Sequence, residues 1–202
     1  MSLDIEITST LLDAAKMFDG IDPREVAKAA RRSINRTLLT LRKESLKRIP
    51  EHLKVKPKTL RERYIRLNKA QGGTNFEGSI DFSSEPIPMI EFVKGSKEPI
   101  KQKGVKVSRR RKLKVEITPG KRFILRKAFI QRVLSKQVFK RPAGKDNFKK
   151  QGVPSVGTIV VQRGIGKELV TIGGQRFAEL FAADINARLQ GFVSSDRFTK
   201  PK

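Results

Sequence analysis

The side chains that do covalent chemistry are nearly missing from this chain. Its 202 residues include one histidine, His52, and no cysteine. A hydrolase needs a nucleophile, a base and a third group that orients the base. His52 follows Pro50-Glu51 among lysines and arginines, which reads as a surface histidine in an inter-helix loop. Without cysteine there is no thiolate, no disulfide framework and no Cys metal site, and a single imidazole rules out His-rich metal centres. The carboxylates are scattered, with neither D-x-D nor E-x-x-H spacing, so a metal nuclease lacks its ligand cluster. The glycines of Gly152–Gly157 and of Arg163-Gly164-Ile165-Gly166 are not followed by the G-K-[ST] of a P-loop. The second group reads as a hairpin turn, where glycine supplies a positive φ. The expectation is a protein without catalysis, metal, cofactor or small-molecule substrate.

What the chain has in excess is positive charge, and it is unevenly placed. Forty-five Lys and Arg face 20 Asp and Glu, a net of +25. Met1–Asp22 carries net −4, Pro23–Lys69 +12, Ala70–Gly95 −3, Ser96–Lys150 +17 and Gln151–Lys202 +3. Fields of this kind bind polyanions or pack against acidic neighbours. The densest run is Arg109-Arg110-Arg111-Lys112, joined by Lys101, Lys103, Lys106 and Lys114. No aromatics are interleaved, so stacking on single-stranded bases is not expected. Contact with nucleic acid here is electrostatic and blind to sequence. A solvated loop, a phosphate-binding arm and an arm docked on acidic protein all fit this run. Arg31, Arg32, Arg36 and Lys43, on the helix described next, are the second candidate set.

The clearest element opens at Asp22, which can cap a helix with Pro23 at its first position, Glu25 closing a capping box, and Ile21 and Val26 as a staple. Val26, Ala30, Ile34, Leu38 and Leu41 then recur at helical spacing, with Ala27, Thr37 and Ser45 widening the stripe. This predicts an amphipathic helix to about Ile49–Pro50, lying on something flat. A second helix is predicted from Pro57 to about Leu67. The linker between them is too long for a helix-turn-helix, and Pro50 and Pro57 flank it. Strands are predicted near Leu3–Ile7, Asn75–Phe82, Ile87–Val93, Lys112–Thr118, Val156–Val161 and Leu169–Ile172. Phe123–Val133 fits a strand or a helix, the strand slightly better. Thr10–Phe18 reads as a short helix, and Pro119-Gly120 as a turn. Lys94–Lys112 and Phe139–Pro154 read as basic loops, the first a long arm that orders on partners. Gly173-Gly174 leads into a helix at Gln175–Leu189, and a loose tail follows.

The hydrophobic share is 37%, low for a globular chain, and the length suits one domain, with or without long arms. The segments expected are residues 1–22 as a strand and short helix, 23–69 as a basic helical region, 70–192 as a β-rich region with the arm (94–112) and C-terminal helix (175–189), and 193–202 as a flexible tail. No secretory signal is visible and no apolar run approaches the ~20 residues that span a bilayer. A soluble, cytosolically made protein without membrane contact is expected.

The order of these elements resembles the phage minor tail protein Z family. Val26-Ala27-Lys28-Ala29-Ala30-Arg31-Arg32-Ser33-Ile34-Asn35-Arg36-Thr37 is similar to its opening helix, with Ser33 where the family usually has Ala. A Pro-led, Arg-rich helix follows, then an edge strand like Pro86-Ile87-Pro88-Met89-Ile90-Glu91-Phe92, a basic arm and an aromatic strand like Ala128-Phe129-Ile130. Thr158–Arg163 and Val170–Leu189 fit the last slots. The resemblance covers about Pro23–Leu189. It implies a structural virion protein, a tail completion protein assembled in the host cytoplasm. It further implies a homo-oligomeric, hexameric ring at the head-proximal end of the tail. The partners implied are tail or neck proteins, with non-specific contact to packaged DNA. The fold expected is α+β: the long helix and the C-terminal helix on a small, mostly antiparallel sheet, with basic arms. The alternative is a monomeric, sequence-nonspecific binder of double-stranded nucleic acid.

Overall fold

The computed structural model describes residues 4–6, 22–71, 77–94, 113–125, 128–131, 137–140 and 149–190. The expected helix at Thr10–Phe18, nearly all of the Lys94–Lys112 arm and the tail after Gly191 lie outside the described residues. The architecture is α+β, with two long helices and small antiparallel sheets. The chain divides into two compact units.

One unit holds Ser2–Ser45, Ile65–Phe82 and Gly164–Lys202. Helix α1, Pro23–His52, begins in it. Asp22 caps α1, its carboxylate accepting from the Arg24 N–H at 2.8 Å. Val26, Ala29, Ala30, Ile34, Leu38 and Leu41 are all 0% exposed. The unit's sheet is formed by strands β1 (Asp4–Glu6), β2 (Ile65–Asn68) and β3 (Ser79–Phe82), ordered β1-β3-β2 and antiparallel. Gly78, just before β3, provides the flat contact: a methyl built there would lie 2.6 Å from Ile34 Cγ2 and 2.8 Å from Leu38 Cδ1. Asn35 fastens the helix to the end of β2. Its amide nitrogen donates to the Ala70 carbonyl at 3.2 Å, and its amide oxygen accepts from the Ala70 N–H at 2.9 Å.

The C-terminal helix of this unit runs Ile165–Leu189 and is here numbered α4. Val26 and Ala29 pack with Ile185, while Leu41 meets Gly173, whose added methyl would sit 3.4 Å from Leu41 Cδ1. Early residues of α1 thus meet late residues of α4, so the two are antiparallel. The expected strand Leu169–Ile172 is therefore helical, and Gly173-Gly174 lies inside the helix instead of opening it. Burial at Ile165, Leu169 and Gly173 follows a four-residue step, which the β-branched Val170-Thr171-Ile172 run conceals.

The other unit holds Leu46–Tyr64 and Ser83–Arg163, with Met1. His52 lies in the last turn of α1, not in a loop. Helix α2 is only Pro57–Thr59, followed by a π turn over Leu60–Tyr64. The predicted helix to Leu67 stops there because Ile65–Asn68 pairs with β3, from Ile65↔Phe82 to Asn68↔Ser79. The Ile87–Val93 stretch is also broken. It forms β4 (Ile87–Pro88), a 3-10 turn over Met89–Phe92 and β5 (Val93–Lys94), since Pro88 has no N–H with which to extend a ladder. Strand β6 (Leu113–Glu116) pairs with β5 on one side and β7 (Arg122–Leu125) on the other. The turn between β6 and β7 holds Gly120 at φ 79°. Strands β8 (Ala128–Gln131), β9 (Gln137–Lys140) and β10 (Lys149–Lys150) form a sheet, with Phe129 stacked on Phe139. Strand β11 (Gly152–Val153) pairs with β4. The predicted loop Phe139–Pro154 therefore contains strands at both ends.

Helix α3 is Val156–Gln162, where Val156–Val161 suggested a strand. Its cap decides the matter: Ser155 Oγ accepts from the Thr158 N–H at 3.1 Å, and Val156 and Val160, four apart, are buried. Arg163–Gly166 joins two helices and not two strands. Gly164 does adopt the positive φ expected of it, 71°.

Candidate polyanion and subunit contacts

The apolar stripe of α1 turns inward, and the same helical geometry turns its cations outward. Arg24, Lys28, Arg31, Arg36, Lys43 and Lys47 are exposed, while Arg32 and Arg42 are half-buried. Lys28 is tied to Glu25 at 2.7 Å, and Arg32 lies 3.9 Å from Asp184. Arg31, Arg36 and Lys43 pair with no described residue, and each projects an uncompensated charge. Their spacing of five and seven residues spreads these charges over roughly 18 Å of helix, with Arg36 and Lys43 nearly in line and Arg31 roughly 140° around from Arg36.

Behind this face lies a buried ionic clasp. Arg188, in the last turn of α4, bonds Glu25 in the first turn of α1 and lies 3.3 Å from Asp184 through Nε. Its side chain is 4% exposed, and burial pulls its pKa below the usual guanidinium value. Each charge is compensated by the others, which is the condition for burying them.

A second buried carboxylate organises the sheet β5-β6-β7. Glu116 lies directly opposite Arg122, with Oε2 3.4 Å from Arg122 Nε. It also pairs with Lys94. Lys54 Nζ is 3.9 Å away, and the Gly120 N–H donates to Oε1 at 3.2 Å. The Lys94 hydrogen bond and the Gly120 N–H, with the charge of Lys94 and the bond from Arg122, hold the carboxyl at about 2 although burial opposes them. Lys114 stands opposite Lys94 in the ladder, an unfavourable pairing of like charges that Glu116 relieves by engaging Lys94. Lys114 itself is exposed. In the same unit, burial first and then Glu91 raise the pKa of Tyr64.

Of the candidate contact residues, Arg36 and Lys43 lie on one side of α1, Arg31 is exposed roughly 120–140° around the helix from them, and Lys114 stands apart on β6. Arg32 is engaged with Asp184. Lys101, Lys103, Lys106, Arg109, Arg110, Arg111 and Lys112 lie outside the described residues. Sequence reasoning did not find the hubs Glu116 and Arg188, because each depends on cations or anions distant in the chain. Among the described residues, no group of His, Asp and Glu could hold a metal ion, and no helix is long and apolar enough to cross a membrane.

Neither a curated protein nor a solved structure matches this chain. The family model for prophage minor tail protein Z (GPZ) matches residues 10–194. That span takes in the buried stripe of α1, the Glu116 hub and the whole of α4, so the chain belongs to the prophage minor tail protein Z family, a family of structural proteins of the phage tail.

Proposed function

We propose that this protein is a tail completion protein: a non-enzymatic subunit of a homo-oligomeric, hexameric ring at the head-proximal end of the tail. In this role it joins head to tail and helps position the DNA end. The supporting observation is the exposed charge of α1, with Arg31, Arg36 and Lys43 exposed and unpaired by described residues on a helix whose apolar stripe is wholly buried, in a chain of net +25. A ring subunit can turn such a surface towards DNA phosphate or towards acidic neighbouring rings. The basic run Arg109–Lys112, with Lys101, Lys103, Lys106 and Lys114, extends the same capacity.

Light scattering and negative-stain microscopy of the purified protein, alongside tails assembled without it, test the proposal. Closed rings, and tails that fail to join heads in the protein's absence, support it. A strict monomer that binds any duplex tightly, with tails unaffected by its loss, overturns it in favour of a lone nucleic-acid binder.

A further inference from the structure

Among the described strands β7 is an edge: the order β5-β6-β7 leaves it paired on one side only, with β6. Successive residues of a strand point to opposite faces: Phe123 shares the face of its partner Val115, and Ile124 the face of Lys114. Phe123 is 40% and Ile124 49% exposed, so apolar side chains reach solvent on both faces of the strand, and its outer backbone pairs with no described strand. Soluble proteins avoid leaving an apolar edge open, since its free N–H and C=O groups recruit another strand. The local sequence is basic, since Lys121-Arg122-Phe123-Ile124-Leu125-Arg126-Lys127 contains four cations and no anion, of which Arg122 is engaged by Glu116 on β6.

The same chain carries an edge of opposite sign. Strand β1 is outermost in the order β1-β3-β2 and pairs only with β3 among the described strands. Its sequence is Asp4-Ile5-Glu6, within a segment, Met1–Asp22, of five acidic residues and one basic. An apolar edge flanked by cations and an edge of alternating anions form a charge-complementary pair.

We infer that β7 of one subunit takes β1 of a second copy of this chain as an added strand. Because the two edges are different surfaces, the contact is heterologous, and repetition of a heterologous contact builds a ring when the rotation closes. The inference gives the proposed ring its subunit contact and so rests on that reading, although the pairing is tested separately.

The chain has no cysteine, which makes engineered thiols unambiguous. Two single variants, Ile124→Cys and Asp4→Cys, are mixed and treated with a short bismaleimide; Asp4 stands opposite Asp81 in the ladder and so off the face of buried Ile80. A cross-linked dimer that forms in the mixture and in neither variant alone supports the pairing. Dimers of Ile124→Cys alone, indicating β7 against β7, or no mixed dimer, overturn it. Ile124→Glu supplies the second measurement: position 124 is half in solvent and stands opposite Lys114, so the melting temperature holds, while the added anion repels the acidic β1 and assembly is lost. Rings that persist in Ile124→Glu overturn the edge contact and leave the ring reading standing. A mixed dimer without closed rings keeps the edge contact and removes the ring.

Discussion

Two glycine-to-alanine changes in one unit should move stability in opposite directions. At Gly78 the new methyl falls 2.6 Å from Ile34 Cγ2 and 2.8 Å from Leu38 Cδ1, about 1 Å inside the carbon–carbon optimum of ~3.5–4.0 Å. Leu38 can rotate its terminal methyl. Ile34 cannot turn Cγ2 away, because a β-branched side chain in a helix has essentially one χ1 well. Helix or strand must therefore shift, and overpacking of this kind costs ~1–3 kcal/mol. Restricting the unfolded chain returns ~0.4–1 kcal/mol, leaving a net loss of about 0.5–2 kcal/mol. Gly174 is exposed in α4 with nothing within 4 Å of an added methyl, so Gly174→Ala gains the helix-propensity difference of ~0.8–1 kcal/mol. At ~2–4 °C per kcal/mol for a chain of this size, calorimetry should show Gly78→Ala melting about 1–8 °C lower and Gly174→Ala about 2–4 °C higher. Both positions belong to the unit that holds most of α1, so both shift the same transition. A melting temperature for Gly78→Ala at or above wild type refutes the close seating of α1 on the start of β3.

Three further outcomes follow from the buried polar groups. Thr37 is 0% exposed and its hydroxyl has no hydrogen-bond partner among the described residues, so Thr37→Val should raise chemical-denaturation stability by ~1–2 kcal/mol; a loss would reveal a partner for the hydroxyl. Arg188→Met leaves Glu25 and Asp184 without their shared cation and should cost about 3 kcal/mol, the low end for a broken buried pair. Arg36→Ala, on the exposed face, should stay within ~0.5 kcal/mol, and equal effects would contradict the clasp. Glu116 sits at about 2 when folded against an ordinary 4.5, so its contribution is complete above pH 4.5 and is lost as pH falls towards 2. Glu116→Gln should therefore lower stability at pH 7 and flatten the acid limb between those values, and an unchanged limb would show that the three cations do not act on it.

The sequence carried the fold class and the long helix because both depend on local signals: Asp22-Pro23 at the cap and an apolar stripe over five turns. It misled at α3 and α4, where Val156–Val161 and Val170–Ile172 have strand composition. The deciding signals there were the Ser155 cap and burial every four residues, and Gly173 looked like punctuation although it serves as a contact. The helix expected to reach Leu67 failed for a different reason. Leu60 and Tyr64 do fit a helical face, but Ile65–Asn68 is claimed by β3, a partner that no local pattern names. The same limit hid Glu116 and Arg188. Net charge by segment shows where cations abound, not which carboxylate they will surround.

Those two hubs show where a chain with more than twice as many basic as acidic residues places some of its few carboxylates. A lone carboxylate on a strongly positive surface would neutralise one cation. Buried within reach of several, it engages more than one at short range. Glu116 does this for Lys94, Arg122 and Lys54, and Glu25 and Asp184 do it for Lys28, Arg32 and Arg188. The anions are thereby used inside each unit, and the surplus is left on surfaces such as the outer side of α1. There it opposes self-association except through edges that bring their own negative charge. An acidic β1 meeting a basic, apolar β7 satisfies that condition, while the unpaired arginines and lysine of α1 remain available for whatever anion the tail presents.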